Sequence, residues 1–137
     1  MKKNQKVFII EDDKIASSII KNIMKLNKSI SIIEVFPNGL FALEKLEELN
    51  KLNEKLPDFM VLDFDMPLMN GLEFLENIKY LKGINKIPIF INCSSDEVIE
   101  ILTCLNYENV KESFSKPFSK QTLHVILEYV ESKMLIN

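Results

Sequence analysis

The sequence lacks the features of several common functional classes. It has three glycines among 137 residues and contains neither G-x-G-x-x-G nor a P-loop, which argues against a nucleotide-binding site. No apolar run approaches the ~18 residues that a membrane span needs. The first apolar stretch meets acidic residues after four positions, which is too short for a signal peptide. We therefore expect a cytoplasmic protein that does not interact with membranes.

The chain also lacks a basic excess and has few cysteines and histidines. The net charge is -3 and the pI is near 5.3, whereas nucleic-acid-binding domains are normally basic. The two cysteines, Cys93 and Cys104, have neither the spacing of a zinc site nor that of a C-x-x-C motif, which predicts two buried free thiols. The single histidine, His124, lies off the apolar face of its helix and is expected at the surface.

Short apolar runs alternate with helical patterns along the whole chain. Buried strands are predicted near residues 7–10, 31–35, 59–63, 87–92 and 110–114. Helices follow each of them, and alternating strands and helices predict a doubly wound α/β fold with a five-stranded parallel sheet covered on both faces. The chain length fits one domain, spanning residues 1–137, with no output domain.

Particular spacings place the helices. The first has Ile15, Ile19, Ile23 and Leu26 at helical intervals. The second has Leu40, Leu43, Leu46 and Leu49 and is expected to continue to Leu56, where Pro57 ends it. The fourth is expected to start at residues 95–97 and to continue through Val98, Leu102 and Leu105. The last presents Leu123, Ile126, Leu127, Val130 and Met134 on one face.

Polar residues follow four of the five predicted strands. In open parallel sheets the carboxyl ends of the strands share one edge, where ligands bind. We therefore expect the residues at these strand ends to lie together: Glu11, Asp12 and Asp13; Asp63 and Asp65; Cys93, Ser94 and Ser95; and Ser115, Lys116 and Pro117.

These residue types together suit phosphoryl chemistry. Clustered carboxylates need a positive partner, and Mg²⁺ prefers oxygen ligands that it shares with phosphate. Lys116 offers a point charge for phosphate oxygens, and an aspartate can act as a nucleophile. Taken singly, Asp12 or Asp13 could be a helix cap and Asp63 a solvated turn residue.

The sequence resembles the receiver domain of two-component response regulators over nearly its whole length. The matching stretches are "VFIIEDD", "DFMVLDFDMPLMNGLEFL", "IPIFINCSSD" and "SFSKPFSK", and the D-x-x-MP-x-x-x-G pattern of the second is the most specific. The resemblance implies a flavodoxin-like (βα)5 fold with strand order 2-1-3-4-5. It also implies a switch that catalyses only its own phosphorylation and dephosphorylation.

The resemblance assigns roles to individual residues. Asp63 matches the phosphoacceptor, and Lys116, in a Lys-Pro peptide that is cis in the family, matches the residue that contacts the phosphoryl group. Glu11 and Asp12 match the acidic pair that holds Mg²⁺ together with Asp63, and Asp65 matches the position whose backbone carbonyl completes the metal shell.

The resemblance also implies partners. The phosphoryl donor is a sensor histidine kinase or a phosphotransfer protein, and an unknown downstream protein receives the signal. A homodimer is possible, and nucleic acid is not expected. Lys111, Glu112 and Tyr129 are candidates for the partner face.

Three positions depart from the family pattern. Cys93 stands where Thr or Ser is usual, so that either its thiol or the Ser94 hydroxyl takes over. Ser113 stands at the usual aromatic position, with Phe114 beside it on the opposite side of the strand. Asn109 and Val110 replace a common Gly-Ala pair.

Two other functions compete with this one. A pseudo-receiver would bind partners without phosphorylation, which the altered Cys93 and Ser113 favour and the intact acids oppose. Alternatively, Asp63-Phe64-Asp65 resembles the D-x-D of small phosphatases. In haloacid-dehalogenase-type phosphatases the motif lies on the first strand, whereas here a strand followed by Glu11 and Asp12 precedes it.

Overall fold

A five-stranded parallel sheet forms the centre of the protein. The computed structural model describes residues 4–94 and 96–136, and the strands lie in the order β2-β1-β3-β4-β5. The predicted fold class and strand order are thus confirmed. The strands are β1 (Gln5–Ile10), β2 (Ile30–Phe36), β3 (Phe59–Leu62), β4 (Ile89–Cys93) and β5 (Val110–Ser115).

Five α-helices cover the two faces of this sheet. They are α1 (Lys14–Lys25), α2 (Gly39–Lys51), α3 (Gly71–Ile78), α4 (Val98–Cys104) and α5 (Lys120–Ile136), with a 3-10 turn at Ile84–Lys86. Ser95, predicted at the end of β4, and the side chain of Met134, predicted on the apolar face of α5, lie outside the described residues. None of the described helices is long and apolar enough to cross a membrane.

The central strands separate two apolar cores. Every residue of β1 and β3 is buried, as expected for central strands that are covered on both faces. Because successive side chains alternate across a sheet, Phe8 and Met60 belong to the core with α2 and α3. Val7 and Phe59 belong to the other core, with α1 and α5.

The prediction that α2 continues to Leu56 is wrong, because α2 ends at Lys51. Asn53 adopts the left-handed conformation, with φ 55°, which asparagine tolerates and which commonly ends helices. The Glu54 N–H then donates to the Leu49 carbonyl at 2.9 Å and closes the helix end. The leucine pattern therefore outlasts the helix.

The buried faces of α1 and α4 differ from the spacings that predicted these helices. In α1 the buried residues are Ser17, Ile20 and Met24, while Ile15 and Leu26 are mostly exposed. Helix α4 starts at Val98, later than predicted, and Cys104 is its buried residue. On α5, by contrast, the predicted residues Leu123, Ile126, Leu127 and Val130 are all buried.

Candidate functional site

The carboxyl ends of β1 and β3 bring Glu11 and Asp63 together. Glu11 follows β1 directly, and its N–H donates to the Phe36 carbonyl at 2.9 Å. Asp63 follows β3, and its N–H donates to the Ile10 carbonyl at 3.0 Å. These backbone bonds continue the sheet beyond the strand ends and hold both residues in place. Both side chains are almost completely buried, with 2% and 6% of their surface exposed.

Lys116 connects the two buried carboxylates. Its own N–H donates to the Cys93 carbonyl at 2.8 Å, just beyond the pairing of β4 and β5. Its ammonium nitrogen lies 3.0 Å from Glu11 Oε1 and 3.3 Å from Asp63 Oδ1. The Lys116–Pro117 peptide is cis, as the resemblance implied. Three strand ends thus form one charged cluster.

The electrostatics of this cluster favour a further cation. Burial, and then the charge of Asp63, raises the pKa of Glu11 to about 7, although Lys116 acts against this shift. Burial by itself would lower the pKa of Lys116, but its ion pair with Glu11 and the charge of Asp63 raise that pKa overall. One ammonium group therefore compensates the two buried carboxylates only in part.

Asp12 adds a third carboxylate to this cluster. One oxygen each from Glu11, Asp12 and Asp63 lie within 4.8 Å of one another. Oxygen ligands in this number suit Mg²⁺, which binds few carboxylates and keeps several waters. The next residue, Asp13, caps α1, since its Oδ1 accepts from the N–H groups of Ile15 and Ala16 at 2.8 and 3.2 Å. Asp12 therefore belongs to the acidic cluster, whereas Asp13 caps the helix.

Asp65 lies at the rim of the site. Its side chain is exposed, in contrast to the buried Asp63 two residues earlier. The carboxylates of Asp63 and Asp65 therefore differ in solvation although they are close in sequence. The expected role of the Asp65 carbonyl as a metal ligand stays a prediction.

Cys93 and Ser94 follow the end of β4 in very different surroundings. Cys93 is 1% exposed and belongs to the same apolar core as Cys104, and both are free thiols. Burial, and then the charge of Glu97, raises the pKa of Cys93 to about 11, so the thiol stays protonated at neutral pH. The Ser94 hydroxyl is exposed and donates to the Asp96 carboxylate. Which of the two contacts a phosphoryl group stays a prediction.

Sequence reasoning missed Glu97 as a residue of this site. Its Oε1 accepts from the Ser94 N–H at 3.1 Å, and it lies within electrostatic reach of Asp63 and Asp65. Burial, together with these two acids, raises its pKa above the ordinary value, while the Ser94 N–H acts against that shift. The spacing Ser-x-x-Glu over residues 94–97 was the available signal, because a glutamate three residues on can bond back to a serine N–H.

The strand β5 lacks an aromatic side chain at its expected switch position. Ser113 is half-buried there. Phe114 lies on the other side of the strand, as predicted, with its ring centroid 6.4 Å from that of Phe90. Tyr129 packs on the same Phe90 ring, with the two ring centroids 5.8 Å apart.

His124 is exposed, as predicted, and lies beside Glu128 on α5.

A doubly wound α/β domain with an acidic cluster and one lysine at the carboxyl edge of its sheet defines the class of protein. The chain belongs to the response regulator receiver domain family, whose model matches residues 7–128. Solved structures of the same fold include a two-component response regulator from Cytophaga hutchinsonii, with a TM-score of 0.84 and 23% identity, covering 96% of this chain and 99% of that one. Another from Legionella pneumophila has a TM-score of 0.78 and 24% identity, covering 94% and 99%.

The similar curated proteins are much longer than this chain. A protein-glutamate methylesterase/protein-glutamine glutaminase from Treponema pallidum is 29% identical over 130 residues, which are 90% of this chain and 30% of that protein. The corresponding protein from Treponema denticola is 38% identical over 86 residues, 63% of this chain and 21% of that protein. The chain thus spans less than a third of the length of these two relatives.

Proposed function

We propose that this receiver domain accepts a phosphoryl group on Asp63. The observation that carries the proposal is the position of Lys116, whose ammonium nitrogen lies 3.0 Å from Glu11 and 3.3 Å from Asp63. A lysine beside a rigid, buried aspartate supplies a positive charge where phosphoryl oxygens arrive. A pseudo-receiver has no need for this costly arrangement of buried charges.

Asp63 acts as the nucleophile in this proposal. One carboxylate oxygen attacks the phosphorus of a phosphohistidine, the P–N bond breaks, and its electron pair remains on the ring nitrogen. The product is an acyl phosphate on Asp63, which water later hydrolyses. Phosphoryl transfer asks the protein mainly for positioning and charge neutralisation. The backbone bond from Asp63 to Ile10 and the Lys116 ammonium meet these two requirements.

The acidic cluster fits Mg²⁺, with Glu11, Asp12 and Asp63 as the carboxylate ligands and the Asp65 carbonyl as the proposed backbone ligand. The raised pKa of Glu11 reports an excess of buried negative charge that a divalent cation relieves. Bound there, Mg²⁺ neutralises the charge that develops on the phosphoryl oxygens. The Lys116 ammonium, 3.3 Å from Asp63 Oδ1, supplies a second positive charge beside the nucleophile.

The partners follow from the same chemistry. A sensor histidine kinase or a phosphotransfer protein supplies the phosphoryl group, and the phosphorylated domain signals through protein contacts. Residues 1–137 act in this proposal as a single receiver domain that catalyses only its own phosphorylation and dephosphorylation. The methylesterase activity named for the curated relatives is not extended to it, because the matches cover 30% and 21% of those proteins.

Incubation with acetyl phosphate and Mg²⁺ tests the proposal. We expect a mass gain of one phosphoryl group in the intact protein, which EDTA prevents and which is absent in Asp63→Asn. Asp65→Asn is the matched control, since it removes the same charge from the exposed neighbouring carboxylate and retains phosphorylation. Absence of the mass gain with acetyl phosphate, phosphoramidate and autophosphorylated histidine kinases would favour the pseudo-receiver.

A further inference from the structure

Glu97 folds back over the end of β4 and occupies a backbone donor there. Its Oε1 accepts from the Ser94 N–H at 3.1 Å, and its own N–H donates to the Ser94 carbonyl at 3.2 Å. Ser94 is the first residue after β4. The Glu97 carboxylate is therefore held at the same sheet edge as the proposed phosphoacceptor.

The surroundings of this carboxylate are otherwise acidic. Asp63 and Asp65 both lie within electrostatic reach of Glu97. Strands β3 and β4 are neighbours, and Leu62 pairs with Ile91, so Asp63 and Ser94 emerge from adjacent strands within a few residues of each other. The Ser94 N–H thus holds the Glu97 carboxylate among other carboxylates. The same N–H can donate to a different anion when one arrives.

We infer that Glu97 is a positioning residue that occupies the Ser94 N–H until a phosphoryl group on Asp63 displaces it. The inference rests on the proposed function. An acyl phosphate on Asp63 has three acceptor oxygens and about -1.5 to -2 charges, in place of the single charge of the carboxylate. The single Ser94 N–H then has a second, more strongly charged acceptor, and the repulsion on Glu97 increases. Both effects drive the Glu97 side chain out of the site.

Displacement of Glu97 reaches α4 directly. Glu97 immediately precedes the first residue of α4, Val98, and the Glu97 carbonyl accepts from the Ile101 N–H at 2.9 Å in the first turn. Movement of Glu97 therefore changes the start of this helix. Phosphorylation thus reaches α4 without an aromatic side chain at position 113, where this chain has Ser113.

Beryllium fluoride, which forms a phosphoryl-like adduct with aspartate, serves as the probe. With Mg²⁺ present, we expect Glu97→Ala to bind it about tenfold more tightly than the wild type, the value of one charge-assisted hydrogen bond. Glu100→Ala is the matched control, because it removes the same charge one turn further along α4, and its affinity should stay at the wild-type value. Titration followed by amide NMR gives both affinities.

A second measurement separates displacement from a general electrostatic effect. In the wild type, the adduct should shift the Ser94 amide resonance and increase hydrogen exchange at the start of α4. In Glu97→Ala, exchange there should already be fast and should change little on adding the probe. A merely structural role for Glu97 predicts faster exchange without tighter binding.

Two failures are distinguishable. If the wild type neither binds beryllium fluoride nor takes up phosphate, the proposed function fails and this inference fails with it. If the wild type binds the probe while Glu97→Ala and Glu100→Ala have equal affinities, only the displacement of Glu97 is disproved.

Discussion

The Lys116 ammonium and the Glu11 carboxylate form an ion pair of 3.0 Å in which the Glu11 side chain is 2% exposed and the Lys116 side chain 31%. The same ammonium lies 3.3 Å from Asp63. Burial together with the Asp63 charge raises the pKa of Glu11 to about 7. Without a further cation, the negative charges of Glu11 and Asp63 are therefore incompletely compensated near neutral pH, which destabilises the folded state.

The first prediction concerns stability against pH in EDTA. Folded Glu11 keeps its proton up to about pH 7, whereas the unfolded chain releases it near 4.5. The folded state thus binds more protons between these values, and the free energy of unfolding falls as the pH rises through them, by up to about 3 kcal/mol. Urea unfolding at pH 5 and at pH 8 measures the difference.

Two controls accompany this measurement. Glu11→Gln removes the titrating group and should flatten the profile between pH 4.5 and 7. Mg²⁺ at about ten times its dissociation constant should add roughly 1.4 kcal/mol at pH 8 and less at pH 5, where Glu11 is protonated. A wild-type profile that rises over this range contradicts the raised pKa.

The two buried cysteines provide a matched pair for a second prediction. A buried hydroxyl without a partner costs about 1–3 kcal/mol, so Cys93→Ser and Cys104→Ser should both lower the free energy of unfolding. A hydroxyl is also a better donor than a thiol. We expect Cys93→Ser alone to increase phosphorylation by acetyl phosphate, by about three- to tenfold. Equal phosphorylation of the two variants contradicts a phosphoryl contact at Cys93.

Much of the site could be predicted because strand ends are encoded by simple patterns. Apolar runs that stop at an acid locate the ends of β1 and β3, whereas β5 is a weaker pattern that ends at Ser115, just before Lys116. A parallel sheet brings those ends together at one edge, independently of the conformation of the connecting loops. Glu11, Asp63 and Lys116 therefore lie together as expected. The distances from the Lys116 ammonium to the two carboxylates could be obtained only from the structure.

The end of α2, the buried face of α1 and the bond between Ser94 and Glu97 depend on local conformation, which the spacing of apolar residues does not predict. The end of α2 is decided by the left-handed conformation of Asn53, which overrides the leucine spacing. In α1, Ile15 and Leu26 have helical spacing but face solvent, because the adjacent stripe with Ile20 and Met24 packs on the sheet. The bond from Ser94 to Glu97 depends on one side-chain rotamer.

Leu68 carries a third prediction. It has φ 66° and is 72% exposed, and the Met69 N–H bonds across it to the Pro67 carbonyl at 2.7 Å. A positive φ costs a leucine roughly 1–2 kcal/mol, whereas asparagine adopts positive φ several times more often than most residues. Leu68→Asn should raise the free energy of unfolding by about 0.5–1 kcal/mol. Leu52→Asn, at an exposed leucine with φ -88°, should show no such gain in the same urea titration.

Gly71 carries the last prediction, because no larger residue fits beside Asp63. A Cβ at position 71 would lie 2.5 Å from the Asp63 carbonyl oxygen and 3.0 Å from the Phe64 Cα. Both are backbone atoms, and the Gly71 N–H is itself bonded to the Phe64 carbonyl at 2.8 Å, so the loop after β3 has to move. We expect Gly71→Ala to cost about 1–3 kcal/mol and to slow phosphorylation by acetyl phosphate up to about 100-fold through misplacement of Asp63.

Gly83→Ala separates the lost stability from the displaced site. Gly83 has φ 88° but its nearest contact for an added Cβ is 3.4 Å, to a side-chain oxygen of Asn50. The substitution should cost about 1 kcal/mol through backbone conformation alone and leave the phosphorylation rate unchanged. If both alanine variants lose stability and Gly71→Ala still reacts at the wild-type rate, the loop after β3 does not position Asp63.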